Sequence, residues 1–215
     1  MMGTRPMNAT NRTPLVAALL AASLALSGCV SLGASDPPES LLTLSSTASA
    51  PAGSGAATGE EGSAGAIAVM TPETPAKLDV LRVPVQVSDT SIAYLQEAVW
   101  VEKPARLFRR LLGETLRTRS GDDGAVLILD SDDTPTPASH VVRGTLIEMT
   151  YDAPSSSVVV LYDAVVSDGK GKVISRRFEA REDGVPAETA FVGPALNRAA
   201  NRVAGEVADW VFESR

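Results

Sequence analysis

Between residues 139 and 180, three long runs rich in β-branched residues are separated by two short polar turns, and no other part of the chain constrains the fold as much. The runs cover Ser139 to Tyr151, Ser157 to Val166 and Lys172 to Ala180, with the hairpin-type turns "DAPSSS" and "SDGKGK" between them. Such a block predicts antiparallel strands that must bury one face. Two amphipathic helices are available to cover it. The first begins at Pro104, where the opening turn of a helix tolerates proline. Leu107, Phe108, Leu111, Leu112, Thr115 and Leu116 recur at three-four spacing behind it, while Arg106, Arg109, Arg110 and Arg117 take the other faces. The second helix runs from about Pro194 to Phe212, with Leu196, Ala199, Ala200, Val203, Val207, Trp210 and Val211 as its apolar stripe. The fold class expected is α+β: a single, mainly antiparallel sheet with two amphipathic helices packed on one face.

Further strands precede this block. "AIAV" and "VLRVPVQV" read as strands, and Pro84 in the second marks an edge strand or a bulge. "SIAYLQEAVWVE", Ser91 to Glu102, is a strand with a bend, and "AVLIL" is a short one ending at the acidic loop "DSDDTPTP". Residues 30 to 66 differ in kind. They are mostly Ala, Gly, Ser and Thr without a periodic apolar face, a composition that cannot offset the conformational entropy of folding. Residues 29–65 are therefore expected to be a tether, with a root-mean-square reach of about 35 Å as coil. "LLTL", Leu41 to Leu44, is the exception. If it forms a first strand, the Gly/Ser tract becomes a loop inside the domain; otherwise the domain covers 66–215.

The chain has one cysteine, Cys29, which can form neither a disulfide nor a zinc site alone. Its context supplies another use. Arg5 and Arg12 precede an uncharged run, Leu15 to Leu26, that is shorter than the ~20 residues of a spanning helix and fits a signal-peptide h-region. "LSGC" resembles a lipobox, with Leu26, Ser27 and Gly28 as the signal-peptidase recognition residues and Cys29 as the lipidated residue. Residues 1–28 are then a signal peptide. The resemblance implies a mature chain starting at a triacylated cysteine, with diacylglycerol and an N-acyl chain as its only attached groups and no other cofactor. Several chains anchor stably where one binds marginally, at ~0.8 kcal/mol per buried methylene. Val30 stands where an Asp usually retains such proteins at the inner membrane, which implies the periplasmic leaflet of the outer membrane.

Charge narrows the partners. The formal charge of −7 becomes −9 once Arg5 and Arg12 are lost with the signal. Such a surface argues against nucleic acid and against adsorption to anionic headgroups by charge alone. Catalytic and metal chemistry finds no support either. His140 is the only histidine and lacks a nucleophile to serve. "DSDD", Asp130 to Asp133, fails the calcium-loop pattern, because Pro135 and Val141 stand where Gly and Glu are needed. No P-loop, dinucleotide fingerprint or GxSxG is present. The chain is expected not to be an enzyme and to hold no metal.

The remaining features are apolar or aromatic. Tyr94 and Trp100 lie six residues apart and share a face if their strand is regular. Trp100 has two readings, packing under the helix that follows or a place in an interface for lipid or a partner. Trp210 invites the same two.

In this order the pieces resemble the ABC-type transport auxiliary lipoprotein family. The resemblance rests on the lipobox, "LLTL", "PAKLD", "VLRVPV", "IAYLQEAVW" with an acid and a proline after Trp100, the three-strand block and "ALNRAANRVAGEVADWV". It departs at Leu41 and Leu42, where the family often has an aromatic, and in its longer Gly/Ser tract. It implies a periplasmic, outer-membrane-anchored partner of an ABC transporter with MCE-type subunits, moving phospholipid or other apolar molecules between envelope membranes. Tyr94, Trp100, Arg198 and Arg202 are the candidate surface for a partner or lipid, and the chain could also form a homo-oligomer. A structural lipoprotein that assists outer-membrane assembly without transport is the alternative.

Overall fold

The computed structural model describes Gly3 and residues 40–52, 65–120, 126–131 and 138–215. The chain divides into two units, Met1–Pro37 and Pro38–Arg215, and the account below concerns the second. Its elements are β1 (Ile67–Val69), β2 (Arg82–Ser88), β3 (Ser91–Val99), α1 (Pro104–Arg119), β4 (Ile128–Leu129), β5 (His140–Asp152), β6 (Ser157–Asp168), β7 (Val173–Glu182) and α2 (Thr189–Glu213). A short 3-10 turn, Ala76–Leu78, lies between β1 and β2.

The three-run block forms as expected. β5, β6 and β7 make two long antiparallel ladders, and the β6–β7 turn is held by the Asp168 carboxylate, which accepts from the backbone N–H of Lys172 at 2.8 Å and Lys170 at 2.9 Å. The far edge of β5 is shared. β1 pairs parallel with its first half, Ile67 opposite His140, and β2 pairs parallel with its last residues, Val85 opposite Tyr151. β4 adds to β1 and β3 to β2, giving a seven-stranded mixed sheet. Its long ladders are antiparallel, and the short parallel ones join segments far apart in sequence. Pro84 marks a bulge: the register shifts beside it, and β2 is an interior strand.

Both helices pack on one face of the sheet. The apolar stripes of α1 and α2 meet the inward residues of the strands in one core, which includes Phe108, Leu112, Leu116, Met149, Tyr162, Leu196, Val203 and Val207. The Phe108 and Tyr162 rings lie 5.0 Å apart, and burial pushes the Tyr162 hydroxyl pKa up. α2 begins at Thr189, earlier than the sequence suggests, and carries Pro194 inside. An interior proline costs a helix ~3 kcal/mol or more, so packing must hold this turn in place. Val192 is fully buried, and Thr189 Oγ1 donates to the Gln96 carbonyl at 3.0 Å. Gly193 lies flat against the Leu42 side chain, where an added Cβ would come within 2.7 Å of Leu42 Cδ2.

That contact revises the tether. "LLTL" is part of the fold: Leu42 forms a parallel bridge with Trp100, its N–H donating to Val99 O and its carbonyl accepting from Val101 N–H, both at 2.8 Å. Leu42 and Leu44 pack on the core. The chain then crosses α2 and α1 as a strap. Asn197 Oδ1 accepts from Ser45 N–H at 2.8 Å, and Asn201 binds both Thr47 N–H and the Ser45 carbonyl. Glu114 on α1 accepts from Ala50 N–H at 2.9 Å. The folded unit thus begins before Leu41, and residues 41–50 leave the tether expected over 29–65.

Candidate functional site

Apart from Gly3, the expected signal peptide, with Leu26, Ser27 and Gly28 at its end, and the expected lipidation residue Cys29 lie outside the described residues. The other candidates divide by burial. Trp100 is 1 % exposed and belongs to the core, beneath the bridge made by Leu42. The core reading therefore replaces the interface reading for Trp100, and its indole Nε1–H is buried without a hydrogen-bond partner. Trp210 is half-buried, with its ring 5.6 Å from that of Phe178.

Tyr94 stays near the surface, with the Arg82 guanidinium 4.1 Å above its ring. The shared face expected for Tyr94 and Trp100 required a regular strand, and β3 is not regular. Glu97 adopts φ 57°, and between the pairs Arg82–Val99 and Pro84–Tyr94 the two strands advance by unequal numbers of residues. The bulge bends the strand, as the sequence suggested, and breaks the alternation that would align the two rings.

Arg198 and Arg202 sit one turn apart on the outer side of α2, both about half exposed. They converge on one acceptor: Glu182, at the end of β7, takes Arg198 Nε at 3.2 Å and also binds the Arg202 guanidinium. Exposed ion pairs of this kind contribute little to stability, ~0–1 kcal/mol.

The sheet face away from the helices mixes charged and apolar side chains. Met70, Glu73, Val141, Arg143, Thr145 and Val165 line a shallow groove of about 600 Å³, and Gln86, Glu148, Val159, Leu161, Glu179 and Arg181 line a second of about 310 Å³. Arg177 grips Asp163 with two bonds, 2.6 and 2.7 Å, which holds the Asp163 carboxyl below its ordinary range. His140 is half-buried at the start of β5 beside Ser139 Oγ, 3.1 Å away. Burial, then the charge of Arg215, lowers its pKa. Among the described residues no group of three or more His, Cys, Asp or Glu is placed to hold a metal. None of their helices is long and apolar enough to cross a membrane.

A sequence reading overlooks the strap's clamp. Asn197 and Asn201 stand four residues apart on α2, the spacing that places two side chains on one helix face. Paired amides so placed, beside an apolar stripe, were the available signal.

The molecule is an α+β module in which two helices cover one face of a seven-stranded mixed sheet. The model of the ABC-type transport auxiliary lipoprotein component family matches residues 43–208, and the chain belongs to that family. Membership in a lipoprotein family makes it a cell-envelope protein associated with an ABC transport system. No curated protein matches the sequence. Among solved structures it is similar to protein XCC0632 of Xanthomonas campestris, of family DUF330, with 18 % identity and a TM-score of 0.58, covering 67 % of this chain and 82 % of that one. It is also similar to an uncharacterised protein at 12 % identity and TM-score 0.60, covering 80 % and 99 %. At such identities these two likenesses speak for the fold alone.

Proposed function

We propose that this chain is anchored through acyl chains on Cys29 to the periplasmic leaflet of the outer membrane, where it serves an MCE-type ABC system. Its role there is to bind the periplasmic MCE subunit while phospholipid or another apolar molecule passes between the envelope membranes. The observation that carries this reading is the family match over residues 43–208. The lipobox ending at Cys29, followed by Val30, supports the anchor and the membrane. The module works by contact and not by catalysis, in keeping with a surface of paired charges and shallow grooves.

The partner surface proposed is the outer side of α2 with Arg198 and Arg202. Arginines held on a rigid element are the residue type around which interface energy concentrates. The test is direct binding of the full lipidated chain to the periplasmic part of the MCE subunit of its transport system. Arg198→Glu with Arg202→Glu should weaken binding at least ~10-fold, which corresponds to ~1.4 kcal/mol, while the fold persists. Undiminished binding would remove α2 from the interface. No binding by the wild-type chain would favour the assembly lipoprotein.

A further inference from the structure

We infer that the edge of the domain where the chain enters, built from Leu41, Leu81 and Val101, rests on the lipid surface that carries the anchor. The inference relies on the proposed acylation of Cys29 and adds an orientation to it.

Eight large hydrophobic side chains are conspicuously exposed among the described residues, and these three, each 44–52 % exposed, lie on segments that meet at one place. Backbone hydrogen bonds define that place. Val101 N–H donates to the carbonyl of Leu42, next in sequence to Leu41, and Trp100 N–H donates to the Leu81 carbonyl at 2.7 Å. A cluster of this kind on a soluble surface marks a contact.

Chain length identifies the contact. Ser40 is the first residue of the docked segment, and it follows Cys29 by only eleven residues. As coil that stretch has a root-mean-square reach of about 19 Å, against about 35 Å for the longer tether. A tether running to Gly65 would have let the domain roam; the strap over residues 41–50 removes that freedom and brings the entry edge next to the bilayer. The surface held closest to the membrane is thus also the apolar one.

Electrostatics permits the approach although the mature chain is acidic. The charges flanking Val101 are paired: Arg110 with Glu102 at 2.8 Å, and Lys103 with Asp79 at 2.7 Å. The rim is locally neutral, and attraction must come from apolar burial at the headgroup–acyl boundary, in the manner of interfacial segments. Docking of this origin does not weaken as salt rises.

The chain itself offers a clean probe. Cys29 is the only cysteine, and acylation consumes its thiol, so a cysteine introduced elsewhere is the sole reactive one. Val101→Cys, Leu81→Cys and, as a control on the opposite sheet edge, Val173→Cys are purified as full lipidated chains and labelled with an environment-sensitive nitrobenzoxadiazole. Each is reconstituted into phosphatidylethanolamine–phosphatidylglycerol vesicles containing doxyl-labelled lipid. Labels at 101 and 81 should shift to the blue and lose roughly half or more of their emission, as befits a group ~5–10 Å into the interface. The label at 173, which replaces an apolar residue that is still more exposed, should do neither. Circular dichroism and two independent label sites guard against a locally perturbed variant. A lipidated, vesicle-bound chain whose labels at 101 and 81 behave like the label at 173 overturns the docking alone. A chain whose mass reveals no acyl groups overturns the anchor and the docking together.

Discussion

Replacing Leu42 by alanine should destabilise the whole domain, although the residue lies in a stretch whose composition reads as linker. Leu42→Ala removes three carbon atoms from a partly buried side chain. Full burial would make them worth ~2.4 kcal/mol, and half of that is ~1.2 kcal/mol. The neighbour cannot collapse into the space, because Gly193 has no side chain to extend toward it and its helix is held by buried Val192. With a cavity contribution the loss is ~2 kcal/mol. For a domain of this size that lowers Tm by about 4–8 °C. Urea titration followed by tryptophan emission measures it, since Trp100 is buried directly beneath the Leu42 bridge. Asn201→Ala removes the amide that binds Thr47 N–H and the Ser45 carbonyl, and should cost ~1 kcal/mol in the same assay. A Leu42→Ala midpoint indistinguishable from wild type would mean that residues 41–50 do not belong to the cooperative unit. Both the strap and the short tether would then fail.

Trp100→Ala should cost ~3–5 kcal/mol. Trp100→Phe should cost no more than ~1 kcal/mol, because it also deletes the buried, unpartnered Nε1–H; chemical denaturation compares the two. Gly144→Ala should yield insoluble protein or lose more than ~4 kcal/mol, since its Cβ would come within 2.0 Å of the Asp163 carbonyl oxygen on the paired strand; solubility and thermal melting read it. The pH dependence has two parts. His140, whose folded pKa is lowered, contributes stability that is lost as pH falls below its unfolded value of ~6.5, so His140→Gln should flatten the profile just below that pH. Asp163, also lowered, contributes stability present above ~3.9 and lost as pH falls through its folded value, and Asp163→Asn should blunt that acid limb.

What could be read from sequence was local. The β5–β6–β7 meander is legible because alternation and polar turns act between neighbouring residues, and both helices are legible from three-four spacing. Features decided at a distance were hidden. The parallel pairings of β1 and β2 with β5 join segments dozens of residues apart and leave no signature in either. Glu97 takes a left-handed conformation although nothing about glutamate announces one, so the bulge that separates Tyr94 from Trp100 could be suspected only as a bend. Pro194 is the usual start signal of a helix, and tertiary packing of Val192 and Gly193 pulled the start back to Thr189. "LLTL" illustrates the limit most clearly. Four residues in a low-complexity tract have too little periodicity to declare a strand, and its bridge partners at the end of β3 lie more than fifty residues away, with the strap's further acceptors for Ser45 and Thr47 on α2.

The proposed role, a lipid-anchored module that holds an MCE partner and performs no catalysis, meets its most direct test in one titration. The full lipidated chain in vesicles is titrated with the purified periplasmic part of the MCE subunit, with ester and peptide reporters present in the same cell. Saturable binding with no reporter turnover is the result expected. Absence of binding at any accessible concentration, or turnover that follows the protein through purification, would contradict it.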